Sequence, residues 1–337
     1  MEKMRDKLFF FRKEFACTRF CSCLAAGFMA LFIGCGSRDS SCAPVPVRRY
    51  ENALMRLDTG NLKAGLELMA PEFPLFFDGA DLEDSLNILQ IRLFINDPVV
   101  DELHGRIRQT YDKEDSSRLS KDFGCLFSRI RCLSPSFRIP EVYTYISYLD
   151  YAHRILYQDT VLVIGLDLYA DGNEALMDEA GIPRYLSSRL NSRYLMPDAA
   201  RAVALSLIGD AEGDELLAWI VKEGKAMWFM RQVLPKAEPS VLLGYSDADF
   251  AWCERNEQAI WQYIVQQDLL FETDPFEYRY FINEGPFNPL LPGAPARLAR
   301  FVGWKMVDAY MKRSDADWTV LREADPMTVL EESRYKP

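Results

Sequence analysis

The chain has 337 residues, 49% of them hydrophobic and 26% charged, with 18 Gly and 18 Pro. That composition excludes a disordered or collagen-like polypeptide and fits one large domain or two small ones. The net charge of −11 argues against nucleic acid and against an electrostatic grip on anionic lipid.

The amino terminus is set apart from the body. Residues 1–19 carry six Lys/Arg and three Asp/Glu, and "FCSCLAAGFMALFIG" (20–34) is an uncharged run that ends at Cys35. A basic segment followed by a short apolar one is the pattern of a secretory signal, too short for a comfortable membrane span. "LFIGC" (31–35) looks like a lipobox, with Gly34 directly before a cysteine that would be cleaved and diacylated; Phe32 stands where a smaller aliphatic residue is usual. The competing reading is a plain signal peptide with a coincidental cysteine. Lipidation at Cys35 is the expectation, with acyl chains anchoring the protein at about 0.8 kcal/mol per buried CH₂. Removing residues 1–35 leaves 33 basic against 47 acidic residues, a net charge of −14, so the lipid and not the body would hold the membrane.

Four cysteines remain after Cys35: Cys42, Cys125, Cys132 and Cys253. Cys42 falls in "GSRDSSCAPVPV" (36–47), which reads as a polar, Pro-containing tether. Cys125 and Cys132 share a predicted helix, about 10 Å apart along its axis and too far for a bond. No disulfide framework is expected, although an exported protein would permit one.

From about residue 48 to 135 the signals are helical. "RRYENALMRL" and "NLKAGLELM" are short amphipathic pieces, and "DPVVDELHGRIRQTY" opens on an Asp cap and a first-turn proline. In "SRLSKDFGCLFSRIRCL", Leu119, Phe123, Leu126, Phe127, Ile130 and Leu133 recur at helical spacing, and Ser134-Pro135 stops the helix. The period then changes. "EVYTYIS", "HRILYQD" and "TVLVIGLDLY" are β-branched and aromatic runs, so a three-stranded sheet, antiparallel in the simplest reading, is expected at about residues 142–169. The remainder predicts helices over 197–209, 212–234, 247–267 and 299–312, and a last one opening at Asp325-Pro326. Between them "FETDPFEYRYFINEGPFNPLLPGAP" (271–295) has five prolines in 25 residues and reads as an irregular loop, the expected rim of a groove. The fold class is α+β, mostly helical, and the sequence divides into a tether (35–47), a helical part (48–135) and a sheet-plus-helix part (136–337) continuous with it.

The order helix, sheet, helix and then "KEGKAMWF" (222–229) is the layout of a gluzincin-type metallopeptidase, with Glu223 where such an enzyme places its third zinc ligand. That chemistry also needs H-E-x-x-H on the helix after the sheet, so that two imidazoles and a general base share one face. The helix there reads "PDAARAVALSLIG", with neither His nor Glu. The chain has two histidines, His104 and His153: His104 reads as a solvated residue on a charged helix face, His153 as a structural residue at a strand start. Neither stands near a Cys or Ser suited to a nucleophilic pair. No metal, cofactor or catalytic residue is assigned. "GLDLYADGNEALMDEAG" (165–181) begins like a calcium loop but fails its ligand spacing and reads as an acidic loop. "ERNE" (254–257) reads as a solvated helix face, and Trp228, Trp252, Trp261 and Trp304 as core.

Several stretches together resemble the gliding-motility lipoprotein family GldB of Bacteroidota: "VIGLDLYADGNEA", "GIPRYLSSRLNSRYLMPD", "IVKEGKAMWFM", "LLGYSDADFAWCERNEQAIWQYIVQQDLLFETD", "GPFNPLLPG", "FVGWKMVDAYM" and "ESRYKP". They run from about residue 163 to the end in the family's order. In "PARLARFVGW" (295–304) Ala296 and Ala299 stand where the family tends to have glycine, while Pro295, Arg297, Gly303 and Trp304 remain. The resemblance implies an envelope lipoprotein tied to gliding or to the type IX secretion machinery, with a body resembling a zinc peptidase stripped of its ligands.

Two readings follow. The first is a lipid-anchored, non-catalytic module in the cell envelope, at the outer membrane, that binds other envelope proteins through the former active-site groove; Glu223, Gly224, Arg297 and Trp304 are its candidate residues. The second is a hydrolase or peptidase with an unusual or metal-free site in that groove. In either, Glu223 is expected to cap or pair within the groove wall, and Gly224 and Ala226 to let another element pack closely.

Overall fold

The computed structural model describes residues 42–113 and 115–337. The expected signal, lipobox and lipidation site at Cys35 lie outside the described residues. Two compact units divide the chain, one holding Tyr50–Asp101 and the other Ala43–Arg49 with Glu102–Pro337.

The smaller unit is built from α1 (Tyr50–Leu54), α2 (Leu62–Met69), α3 (Pro74–Phe77) and α4 (Ser85–Ile95). Asp58 and Asp84 start turns in it by accepting from the backbone N–H groups of Gly60 and Leu86. Leu62, Leu66 and Met69, at helical spacing, turn the buried face of α2 inward. The Tyr50 ring stacks on Phe76 at 4.0 Å and meets Phe73 edge-on at 5.5 Å.

The larger unit takes α5 (Pro98–Tyr111) from Glu102 onward, then α6 (Arg118–Leu133), and contains a four-stranded sheet. Its strands are β1 (Val47–Arg49), β2 (Glu141–Tyr145), β3 (Ile155–Gln158) and β4 (Val161–Gly165), in the order β1-β2-β4-β3. The expected antiparallel sheet is corrected here. β1 runs parallel to β2 in the register Val47↔Val142, β2 runs parallel to β4 with Val142↔Leu162, and only the β3–β4 hairpin is antiparallel, with Leu156↔Val163. The fourth strand comes from the stretch read as a tether. Val47 pairs, Val45 N–H donates to the Ser120 carbonyl at 2.9 Å, and the Ala43 carbonyl lies against Gly124, where a Cβ would meet it at 2.2 Å. Cys42 and Cys125 each take part in a disulfide bond, while Cys253 is a buried thiol. The expectation of no disulfide is therefore wrong: it took residues 43–47 as loose, whereas they dock along α6.

Asp167, taken as part of an acidic loop, is fully buried just after β4. Its carboxylate accepts from Ser147 N–H at 2.8 Å, Leu149 N–H at 2.8 Å and the Ser147 hydroxyl at 3.0 Å. Those bonds hold the turn in which Tyr148 and Leu149 take left-handed backbone angles, φ 60° and 62°, a conformation costly for residues with a Cβ. The rest of that stretch forms α7 (Glu174–Glu179). His153 sits on an exposed one-turn 3₁₀ segment ahead of β3, its Nδ1 3.1 Å from Asp150, and not at a strand start.

Beyond the sheet come α8 (Arg184–Ser187), α9 (Ser192–Ile208), α10 (Leu216–Val233), α11 (Pro239–Leu243), α12 (Asp247–Arg255) and α13 (Glu257–Gln266). They are followed by α14 (Pro275–Ile282), α15 (Leu298–Arg313), α16 (Trp318–Glu323) and α17 (Pro326–Ser333). The expected start of α9 at Pro197 is five residues late. The Asn191 side chain accepts from Arg193 N–H and opens the helix, and Pro197 lies inside it. The predicted helix 247–267 breaks at Asn256 into α12 and α13, and Glu254 and Glu257 on either side of the break both reach Lys305 Nζ, at 2.6 and 3.5 Å. The proline-rich stretch contains α14, started by Asp274 accepting from Phe276 N–H.

α10 is the central element. Leu216, Ile220, Val221, Met227, Phe229 and Val233 are buried on several sides of it, which is why it shows no clean amphipathic stripe. Its packing on α15 is very close. A Cβ on Gly224 would sit 2.2 Å from the Gly303 carbonyl, and one on Gly303 2.0 Å from the Ile220 carbonyl. The two glycines thus let the backbones of the helices touch. Lys225, buried next to Gly224, donates to the carbonyls of Arg322 and Ala324 at 2.9 and 2.6 Å and so closes the end of α16.

Candidate functional site

Five arginines converge beside this crossing, each positioned by a different local rule. Arg154 follows the 3₁₀ turn before β3, and Arg189 follows α8. Arg201 is carried on α9 among Ala199, Ala200, Val203 and Ala204, on the buried side of that helix. Arg297 and Arg300 open α15, Arg297 as its N-cap in the left-handed conformation with φ 60° and ψ 36°. Two cations at a helix amino terminus oppose the helix dipole, and a left-handed arginine is costly. The surrounding structure compensates in part: the Arg297 guanidinium donates to the Gly244 carbonyl at 2.7 Å at the end of α11, and its Cζ lies 5.4 Å over the Tyr245 ring.

Three carboxylates meet them. Glu223 Oε1 accepts from Arg201 Nη2 at 2.6 Å, and its Oε2 lies 3.3 Å from Arg300 Nε. Asp198 Oδ2 accepts from Arg154 Nε and from the Tyr169 hydroxyl, both at 2.8 Å. Glu284, in the segment after α14, accepts from Arg189 at 2.7 Å and lies 3.3 Å from Arg297 and 3.8 Å from Arg300. Five guanidinium groups against three carboxylates leave two positive charges in surplus.

Electrostatics follow from this geometry. Burial opposes ionisation of Glu223, but Arg201 and Arg300 outweigh it and hold its carboxyl down to about 2. Glu284 is lowered by Arg297 and Arg189 against the same burial. Burial, then the neighbouring Arg201 and Arg297 charges, push Arg300 down to about 9, an unusual environment for a guanidinium. The Arg300 backbone N–H donates to the Arg297 carbonyl at 3.0 Å, whereas its guanidinium is held by charge, without a hydrogen bond to any described residue.

A small pocket, with a free volume of about 20 Å³, lies over four of these arginines, Arg154, Arg189, Arg201 and Arg300. Its other wall is apolar, formed by Leu186, Leu190, Tyr194, Val241 and Leu242. Leu190, Tyr194, Val241 and Leu242 are themselves buried, so what the pocket offers is positive charge in a confined space, an arrangement that can hold a small anion. Among the described residues no group of three or more His, Cys, Asp and Glu is placed to hold a metal ion.

Of the residues named from sequence, Glu223 and Arg297 belong to this cluster, and Gly224 forms the helix crossing next to it. Trp304 packs elsewhere, against Phe250 at 6.1 Å, with Arg231 and Lys305 over its ring at 5.2 and 4.7 Å. Arg154, Arg189, Asp198, Arg201, Glu284 and Arg300 were missed. The available signal was an ion in an apolar setting: "DAARAVA" puts Asp198 and Arg201 one turn apart on an otherwise hydrophobic helix face.

The fold and the site define a mostly helical α+β protein with a buried arginine cluster open to one pocket. A family model described as "Gliding motility protein GldB" matches residues 38–337. The chain belongs to the GldB family. No curated protein matches the chain. No solved structure matches it either, so no known structure supports the zinc-peptidase layout read from the sequence. Among the described residues, no helix is long and apolar enough to cross a membrane.

Proposed function

We propose that this chain is a lipid-anchored, non-catalytic protein of the cell envelope that binds another envelope component, in the service of gliding or of type IX secretion. Membership of the GldB family points to the process. The lipobox at Cys35 points to an anchor and, with it, to the outer membrane. The observation that carries the binding role is the pocket: it offers surplus positive charge, and its lining includes no Ser, Cys or His. The carboxylate that would be the natural acid of an enzyme, Glu223, is held ionised between two arginines, which suits it to fixing those arginines in place.

A crosslinked pull-down from intact envelopes, with a Cys35→Ala version as the unanchored control and mass-spectrometric identification, tests this reading. Recovery of motility or secretion components that depends on Cys35 is the expected result. Recovery of nothing specific overturns it.

A further inference from the structure

We propose that the arginine pocket holds one monovalent anion of chloride size, with the Arg300 guanidinium as the donor that the fold leaves for it. The inference rests on the binding role proposed above only in the choice of site. An envelope partner that docks there meets a filled pocket, whose surplus falls from two positive charges to one.

Charge balance is the first support. An ion taken out of water is costly unless it is paired. Every carboxylate of the cluster already has an arginine within 2.8 Å: Glu223 through Arg201, Asp198 through Arg154 and Glu284 through Arg189. Arg297 and Arg300 are surplus to that pairing. Arg297 is anchored by donating to the Gly244 carbonyl at 2.7 Å. Arg300 has no such anchor. Its Nε lies 3.3 Å from Glu223 Oε2, an oxygen that is buried without a hydrogen bond, and its Nη2 lies 3.8 Å from Glu284. It lines the pocket together with Arg154, Arg189 and Arg201. Asp198, a carboxylate in the same lining, is engaged by Arg154 and the Tyr169 hydroxyl. Burial and the charges of Arg201 and Arg297 push the Arg300 guanidinium down to about 9, as expected of a cation short of compensating charge. A fold built only for stability would do better with an apolar side chain there.

Size selects among anions. The free volume of about 20 Å³ exceeds the roughly 10–15 Å³ that one water needs. A monatomic ion fits that space. A phosphate, or a carboxylate with a carbon chain behind it, does not. A water also fits, but it leaves both surplus charges uncompensated. Chloride gives the guanidinium N–H groups a charged acceptor, the stronger kind of hydrogen bond. The donors beside Arg300 are fixed before binding, because Arg201 and Arg189 are held by Glu223 and Glu284. Leu190, Val241 and Leu242, buried behind the pocket, lower the local dielectric and strengthen the attraction.

The test uses the full-length protein in detergent at constant ionic strength, with sodium gluconate replaced by sodium chloride, bromide or phosphate. The thermal midpoint is expected to rise by about 3 °C or more between halide-free medium and roughly 0.1 M chloride. Bromide is expected to act like chloride. In Arg300→Met the halide-specific rise is expected to vanish, and the halide-free midpoint to equal or exceed that of the wild type. Phosphate is expected to shift both proteins equally, since excluded salts stabilise any fold. Crystals soaked in bromide are expected to show an anomalous peak within hydrogen-bonding reach of the Arg300 guanidinium. An equal halide rise in both proteins, no rise in either, a phosphate rise confined to the wild type, or no bromide peak overturns the assignment. A bromide peak without a midpoint difference marks an adventitious ion only and overturns it as well. So does a lowered halide-free midpoint in Arg300→Met, which marks Arg300 as a structural arginine. The failures are separable: loss of the halide effect with a Cys35-dependent pull-down intact sinks only the pocket's ion, and a failed pull-down sinks the envelope partner.

Discussion

At the scale of single residues, two buried carboxylates respond to acid in opposite senses. Glu223 has its folded value lowered from the ordinary 4.5 to about 2. Its contribution to stability is therefore complete above about pH 4.5 and is lost as pH falls toward 2. Asp167 is raised by burial to about 6, against the lowering effect of the N–H groups that bind it. The folded state accepts its proton more readily than the unfolded one, so ionising Asp167 costs stability as pH rises through 6. Glu223→Gln leaves Arg201 and Arg300 unneutralised and is expected to cost about 3–5 kcal/mol near neutrality. The difference from wild type should shrink as urea midpoints are compared from pH 5 down to pH 3. Asp167→Ala strands the N–H groups of Ser147 and Leu149 and the Ser147 hydroxyl, at about 1–3 kcal/mol each. Its expected loss exceeds about 3 kcal/mol by the same measurement, and Asp167→Asn, which keeps an acceptor, should lose less.

At the scale of elements, the crossing of α10 and α15 rests on two missing side chains. Gly303→Ala puts a methyl group 2.0 Å from the Ile220 carbonyl and 2.8 Å from the Gly224 backbone nitrogen. Neither atom is the end of a flexible side chain, so the helices must separate, and the expected cost is about 3 kcal/mol or more in denaturant unfolding. Gly105→Ala is the matched control. It lies within α5 with no atom within 4 Å of the added methyl, and it should stabilise by about 0.5–1 kcal/mol through helix propensity. This difference could not be read from sequence, where both are single glycines in helical patterns. The helices themselves were legible where their cues are local: α6 from its apolar period and Ser-Pro stop, α5 from its cap and first-turn proline. Pro197 misled because a proline in the early turns of a helix was taken for its first residue, while Asn191 supplied the true cap. The proline-rich stretch hid α14 for a related reason, since its Asp-Pro start was read as loop chemistry.

At the scale of the whole molecule, what escaped the sequence was long-range. β1 pairs with a strand roughly a hundred residues away, and nothing in "PVPVRR" announces that. The same ignorance produced the missed disulfides. Cys42→Ser and Cys125→Ser are each expected to cost about 2–5 kcal/mol, as checked by thermal unfolding with and without reductant. The candidate site was legible only in part. Glu223 and Arg297 stood out through motif and resemblance, but the cluster draws on a turn, two segments between helices and three long helices, so no window of sequence contains it. Its surplus positive charge is also hidden by the negative total, −11.

The helix crossing has a consequence for how the pocket can work. Gly224 adjoins Glu223, and Gly303 lies one turn after Arg300, so the point where the backbones touch is a pivot placed beside the charged groups. Helices in such contact cannot slide or roll past one another without a backbone clash, and the spacing between Glu223 and the start of α15 is set by two hydrogen atoms. Glu223 and Arg300 are therefore held at a fixed separation, 3.3 Å between Oε2 and Nε, and a substitution that spreads the crossing would draw these charged groups apart with it.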